Sequence, residues 1–177
     1  MKNFSKYLSA LSRINELESR GDVQWHFFAG MLFASPDKWW DDFGIRAAVH
    51  EGIDITYFKN SKGTLKLFDE TIRIPVMENS IILNICDDFL GKSIITEPFR
   101  AASLPKLRIL YVYAHVTPMD HVFTNSVVME NELIARVCRT DKNPMMPPHL
   151  HFSCVEVPRH FAPETLNWDL FSTHDGI

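Results

Sequence analysis

Three short segments, far apart in the chain, carry side chains whose chemistry requires the fold to bring them together: His50-Glu51-Gly52-Ile53-Asp54, Tyr113-Ala114-His115 and His149-Leu150-His151-Phe152. Two histidines and a carboxylate supply the three nitrogen and oxygen donors that a water-activating first-row metal needs, with one coordination position left open. Two further histidines then remain for proton transfer. Each motif alone is a weak signal, so its local context decides. Residues 150–157 are rich in β-branched and aromatic side chains and read as a strand, in which residues two apart share a face. His149 and His151 are therefore predicted to point the same way. Gly52 and the β-branched Ile53, Ile55 and Thr56 disfavour a helix, which predicts that His50 and Asp54 lie on a loop running into a strand. Glu51, as the strand neighbour of a ligand position, is predicted to face away and is not assigned as a general base.

The rest of the chain reads as mainly β. Phe4, Tyr7, Leu8, Leu11, Ile14 and Leu17 recur at helical spacing with Gly21 just beyond, predicting an amphipathic helix over residues 4–20. Strand-like runs follow at 71–76, 80–86, 93–96, 107–115, 133–138 and 150–157, with a turn expected around 164–171. An antiparallel, sandwich-like β architecture with one N-terminal helix follows. Residues 24–43 are dense in aromatics, from Trp25 through Trp39, Trp40 and Phe43, and read as core or helix-docking surface. The expected division is a lead-in over 1–43, a main domain over 44–157 and a C-terminal extension over 158–177 packed on it. Two proline-bearing loops, 97–106 and 140–148, are candidates for the walls of a groove.

Composition excludes several functions. A formal net charge of −4 gives no electrostatic argument for nucleic acid. No run approaches the roughly 18 apolar residues of a membrane helix. The first twenty residues mix charges among apolar positions and lack a cleavage-site pattern, which predicts no secretory leader and on its own a cytoplasmic location. Cys86, Cys138 and Cys154 form neither a disulfide framework nor a thiolate metal cluster, and are expected to be buried small apolar residues of a reducing compartment. His26, His121, His160 and His174 belong to no motif and read as structural or exposed, with His121, near His115, the first candidate for an additional pocket residue. Nothing in the sequence sets an oligomeric state.

In their order, the three segments resemble the lysostaphin/LytM-type zinc metalloendopeptidases, which cut peptide cross-links in bacterial cell walls. The resemblance covers roughly residues 44–157. The family's His-x-Gly-x-Asp followed by an aliphatic residue is matched by His50 through Ile55, its apolar run ending Tyr-Ala-His by Ile109 through His115, and its Pro-His-Leu-His-Phe by Pro148 through Phe152. Between the second and third motifs the family has a glycine-bearing hairpin, for which this chain offers residues 127–137 with the glycines replaced. The resemblance implies a metallopeptidase domain holding one zinc ion per chain through His50, Asp54 and His151, with His115 and His149 as the catalytic pair. It implies a peptide or peptidoglycan substrate and a cell-envelope location. Two other readings stay open: a noncatalytic binding or regulatory domain that keeps the scaffold, and a metal hydrolase acting on another substrate.

Overall fold

A computed structural model describes residues 4–18, 23–102, 104–139, 141 and 143–172. Helix α1 (Phe4–Ile14) opens the chain and is followed by β1 (Gln24–His26), β2 (Ile53–Ile55), β3 (Tyr57–Lys59), β4 (Leu65–Lys66) and β5 (Arg73–Pro75). Then come β6 (Ser80–Asp87), β7 (Lys92–Pro98), β8 (Leu107–Pro118), β9 (Val127–Val128), β10 (Leu133–Val137), β11 (Leu150–Pro158) and a short α2 (Trp168–Ser172). An eight-stranded antiparallel sheet runs β2-β11-β8-β7-β6-β9, with β10 joining β8 and β5 joining β10. A separate three-stranded sheet has the order β1-β3-β4. Among the described residues no helix is long and apolar enough to cross a membrane.

The twelve-residue β8 organises the sheet because its alternation is apolar on both faces. Tyr111, Tyr113 and Val116 point into a core that includes Tyr7 and Leu11 of α1 and Phe152 of β11. Leu110, Val112 and Ala114 point into a second core, closed by the C-terminal Leu166 and Phe171. Each fully buried valine or leucine among them contributes about 1.5 to 3 kcal/mol through its removal from water. The sheet is thus covered by α1 on one face and by the C-terminal segment on the other.

Helix α1 stops at Ile14, earlier than its apolar spacing predicts. Glu16 adopts a left-handed backbone (φ 50°), and Leu17 N–H reaches back to the Ser12 carbonyl at 3.1 Å, closing the helix by a Schellman-type turn. Gly21 lies outside the described residues. Residues 127–137 do not form a simple hairpin either. The chain turns at Asn131, but β9 pairs with β6 whereas β10 pairs with β5 and β8. Asn125 (φ 68°) and Asn131 (φ 69°) occupy left-handed positions, a conformation asparagine tolerates better than most residues, which explains how this region manages with few glycines.

The decisive irregularity lies at His115. Strand β8 pairs with β11 as far as Ala114 and with β10 from Val116, while against β7 its register slips between Tyr113↔Ile94 and Val116↔Lys92. Ala114 and His115 together oppose one residue, Ser93, and His115 has φ 62°: a β-bulge with a histidine in the left-handed position. In strict alternation His115 would follow Tyr111 and Tyr113 toward α1. The bulge sends it instead to the opposite face.

Candidate metal centre

On that opposite face the three sequence motifs converge. Asp54 and His151 are cross-strand partners in β2 and β11, and His151 in turn pairs with Ala114 of β8. His50 lies on the loop entering β2, as its sequence context predicts, and His149 lies just before β11. His149 nonetheless shares the face of His151, and His115 reaches it from β8, its ring centroid 4.9 Å from His149 and 5.7 Å from His151. All five side chains are buried, with relative exposures of 1–3%.

His50 Nε2, Asp54 Oδ1 and His151 Nδ1 meet at one point, with separations of 3.2 Å (His50–Asp54), 2.9 Å (His151–Asp54) and 3.1 Å (His50–His151). Donors bound to tetrahedral zinc are about 3.3 to 3.6 Å apart. The cluster therefore needs to open by only a few tenths of an ångström to take such an ion. The remaining ring atoms are oriented for the same purpose. His50 Nδ1 sits 3.1 Å from the Leu32 carbonyl, which can only accept, so the proton is on Nδ1 and the Nε2 lone pair is free. His151 Nε2 bonds Ser153 Oγ at 2.8 Å, which leaves Nδ1 toward the cluster. Asp54 offers Oδ1 inward, while its Oδ2 accepts the Trp39 indole N–H at 2.6 Å and a longer contact from Arg46 at 3.4 Å. These three residues can hold a metal ion.

The two other histidines differ in what backs them. His149 Nδ1 is 2.9 Å from the Pro147 carbonyl and so carries the proton, presenting an unprotonated Nε2 that lies 3.7 Å from Asp54 Oδ1. Burial pushes its pKa down to about 4, with nearby Asp54 opposing, so the ring is neutral at pH 7. His115 is also lowered by burial, against the pull of Asp88, whose Oδ1 lies 3.1 Å from His115 Nδ1. For Asp54, burial would raise the pKa. Its place among the rings of His149, His151 and His50 outweighs this and holds the carboxyl well below the usual range.

Several of these contacts go beyond the sequence reading. Trp39 belongs to the aromatic stretch read as core, yet it donates to Asp54 and packs edge-on against His149 at 5.2 Å. Elsewhere in that stretch Phe33 and Phe43 are exposed. Glu51 was expected to face away, but β2 begins only at Ile53, so alternation does not apply to it and its carboxylate comes within 3.9 Å of His151 Nε2. His121 does not reach the site; it is an exposed residue 3.8 Å from Glu132. Of the remaining histidines, His26 packs on Phe28 and His160 on Phe161, and His174 is outside the described residues. Of the two candidate walls, the second borders the site through Met146 and Pro147, whereas no described residue of the first lines it; Glu97 lies within β7 and pairs with Arg159 at 2.9 Å. None of the three cysteines is in a disulfide with another, and only Cys138 is buried; Cys86 is half-buried and Cys154 is exposed. Ser153 was within reach of the sequence, since it follows His151 by two on one strand. Trp39, Arg46 and Asp88 carry no such periodic signal.

The cluster lies at the bottom of a narrow cleft lined also by Trp40, Phe89, Met146 and Trp168. Trp168 of α2 packs against His115 and His151, with ring centroids 5.0 and 5.1 Å away.

No family model matches the chain, and no curated protein matches it. Among solved structures it is similar to the catalytic domain of the antimicrobial peptidase lysostaphin from Staphylococcus simulans, at 18% identity over 81% of this chain and 86% of that chain, with a TM-score of 0.43. It is also similar to LytU, at 16% identity over 82% of this chain and 84% of that chain, with a TM-score of 0.41.

Proposed function

We propose that this protein is a zinc-dependent endopeptidase that hydrolyses peptide bonds, with peptidoglycan cross-links or short small-residue peptides as its substrate class. The single observation that carries the reading is the meeting of His50 Nε2, Asp54 Oδ1 and His151 Nδ1 on one sheet face, within 4.8 Å of one another, beside two further histidines. The substrate class rests on the order of the three sequence motifs. When bound, zinc supplies Lewis acidity and lowers the pKa of a coordinated water toward 7. The chain's own groups account for the proton transfers. His149, neutral and with a bare Nε2 facing Asp54, is placed to orient a water and take its proton. His115, backed by the Asp88 carboxylate at Nδ1, is placed to take up a proton at Nε2 and pass it to a developing oxyanion or to the leaving amine. Trp39 and Arg46 hold Asp54 in place from its other oxygen.

A second reading, a noncatalytic binding or regulatory domain on the same scaffold, has one observation in its favour: the five polar side chains are almost fully buried beneath Trp168 and its neighbours. Elemental analysis with anomalous scattering at the zinc edge, combined with turnover of cell-wall fragments and of glycine- or alanine-containing peptides, separates the two. His151→Ala is expected to lose both metal and activity, whereas His115→Ala and His149→Ala keep zinc and lose about 10²- to 10⁴-fold in turnover. Zinc-bound wild-type protein that is inert on every peptide would establish the second reading. Loss of zinc from the His149 variant but not from the His151 variant would reverse the ligand assignment.

A further inference from the structure

Asp88, the carboxylate behind His115, is buried and makes more contacts than a backing role for the ring alone would need. It sits just after β6 and accepts the N–H groups of Leu90 at 2.9 Å and Gly91 at 2.7 Å through Oδ1, and the Ser93 hydroxyl at 2.9 Å through Oδ2. The same carboxylate holds His115 in two places. Oδ2 accepts the His115 backbone N–H at 2.9 Å, and Oδ1 lies 3.1 Å from Nδ1 of its ring. The ring contact is off the ideal hydrogen-bond line, and no other acceptor reaches Nδ1 among the described residues.

The residue clamped in this way is the one at the bulge. A left-handed backbone at a non-glycine residue is strained and persists only where its surroundings enforce it. Here the enforcement is visible: Asp88 takes the His115 N–H, and the His115 carbonyl accepts Cys138 N–H at 3.0 Å. The bulge carries the imidazole to the face of Asp54 and His151, and the carboxylate then fixes how the ring is turned. His149 is backed by a neutral carbonyl, whereas His115 is backed by a carboxylate, an acceptor that sets the tautomer of the ring. Around the His115 ring lie Asp88, His149, His151, Phe89 and Trp168.

We propose that Asp88 is the positioning residue of His115, holding the strained bulge and keeping Nδ1 protonated so that Nε2, on the far side of the ring, faces the reacting atoms. Its effect on turnover rests on the hydrolase reading above; its effect on the ring does not.

Side-chain ¹⁵N spectra of the zinc-loaded full chain give the tautomer directly. Wild-type His115 is expected to carry a proton on Nδ1, and Asp88→Asn is expected to lose that preference. A wild-type ring protonated only on Nε2 overturns the proposal without requiring any variant to fold. In turnover, Asp88→Asn is expected to lower kcat by about 10- to 100-fold with KM and zinc content unchanged. The loss should vanish in a His115→Ala background, because a residue that acts through another has nothing left to position. Additive losses in the double variant would mean that Asp88 merely braces the 88–91 turn, and would overturn the proposal. If zinc-bound wild type turns over no peptide, the hydrolase reading fails, and the spectra alone decide for or against Asp88.

Discussion

Gly52 gives the most direct test of how tightly the metal centre is built. A Cβ added at this position would lie 2.5 Å from His151 Nε2, 2.5 Å from Ser153 Oγ and 2.7 Å from His151 Cε1. Ordinary van der Waals contact begins at 3.4 Å, so Gly52→Ala requires about 0.9 Å of movement. The His151 ring has little room to provide it, being 2% exposed, tied to Asp54 at 2.9 Å and packed against Trp168. Overpacking of a tight interior costs about 1 to 3 kcal/mol. A metal ligand must also hold its distance within about 0.2 Å, so even part of that displacement spoils the donor geometry. Gly52→Ala is therefore expected to lower the urea unfolding free energy of the metal-free protein by about 1 to 3 kcal/mol and to weaken zinc binding by about 10- to 100-fold in a chelator competition. Adding Ser153→Ala removes one of the clashing atoms and should restore part of the stability. A Gly52→Ala protein with wild-type stability and zinc affinity would refute the close-approach reasoning and, with it, the placement of His151.

Three other outcomes are expected. In the metal-free protein His149 is depressed to about 4 by burial, so between its unfolded pKa of about 6.5 and about 4 the unfolded chain binds a proton that the native state does not. Stability therefore falls with falling pH, by about 2 kcal/mol from pH 7 to pH 5, and His115, also lowered by burial, adds in the same direction; denaturant midpoints that stay constant or rise on acidification would contradict this. Trp39→Phe keeps the ring but removes the indole donor to the buried Asp54 carboxylate, and is expected to destabilise by about 1.5 to 3 kcal/mol, read by thermal unfolding. Trp168→Ala uncovers His115 and His151 and should speed zinc removal by a chelator severalfold, at a stability cost near the lower end of about 3 to 5 kcal/mol because the indole is only partly buried; unchanged stripping would show that Trp168 does not cover the site.

Strand character around the motifs and the residue types of the centre were legible from the order of amino acids alone. Alternation in β8 and β11 is local, set by side chains two residues apart, and it was readable without knowing any partner strand. Gly52 was legible as a helix breaker, but its reason, the His151 ring lying against it from 99 positions further along, was not. Tertiary structure alone decided the rest. Strict alternation in β8 would have turned His115 toward α1; the bulge that redirects it arises where β8 exchanges β11 for β10, an event involving three strands. The hydrogen bond of Trp39 to Asp54, the hold of Asp88 on His115 and the cover supplied by Trp168 likewise join segments with no common periodicity. A period reports which face a side chain takes within its own element, whereas the partner it meets depends on how distant elements pack, and that information exists only once the chain has folded.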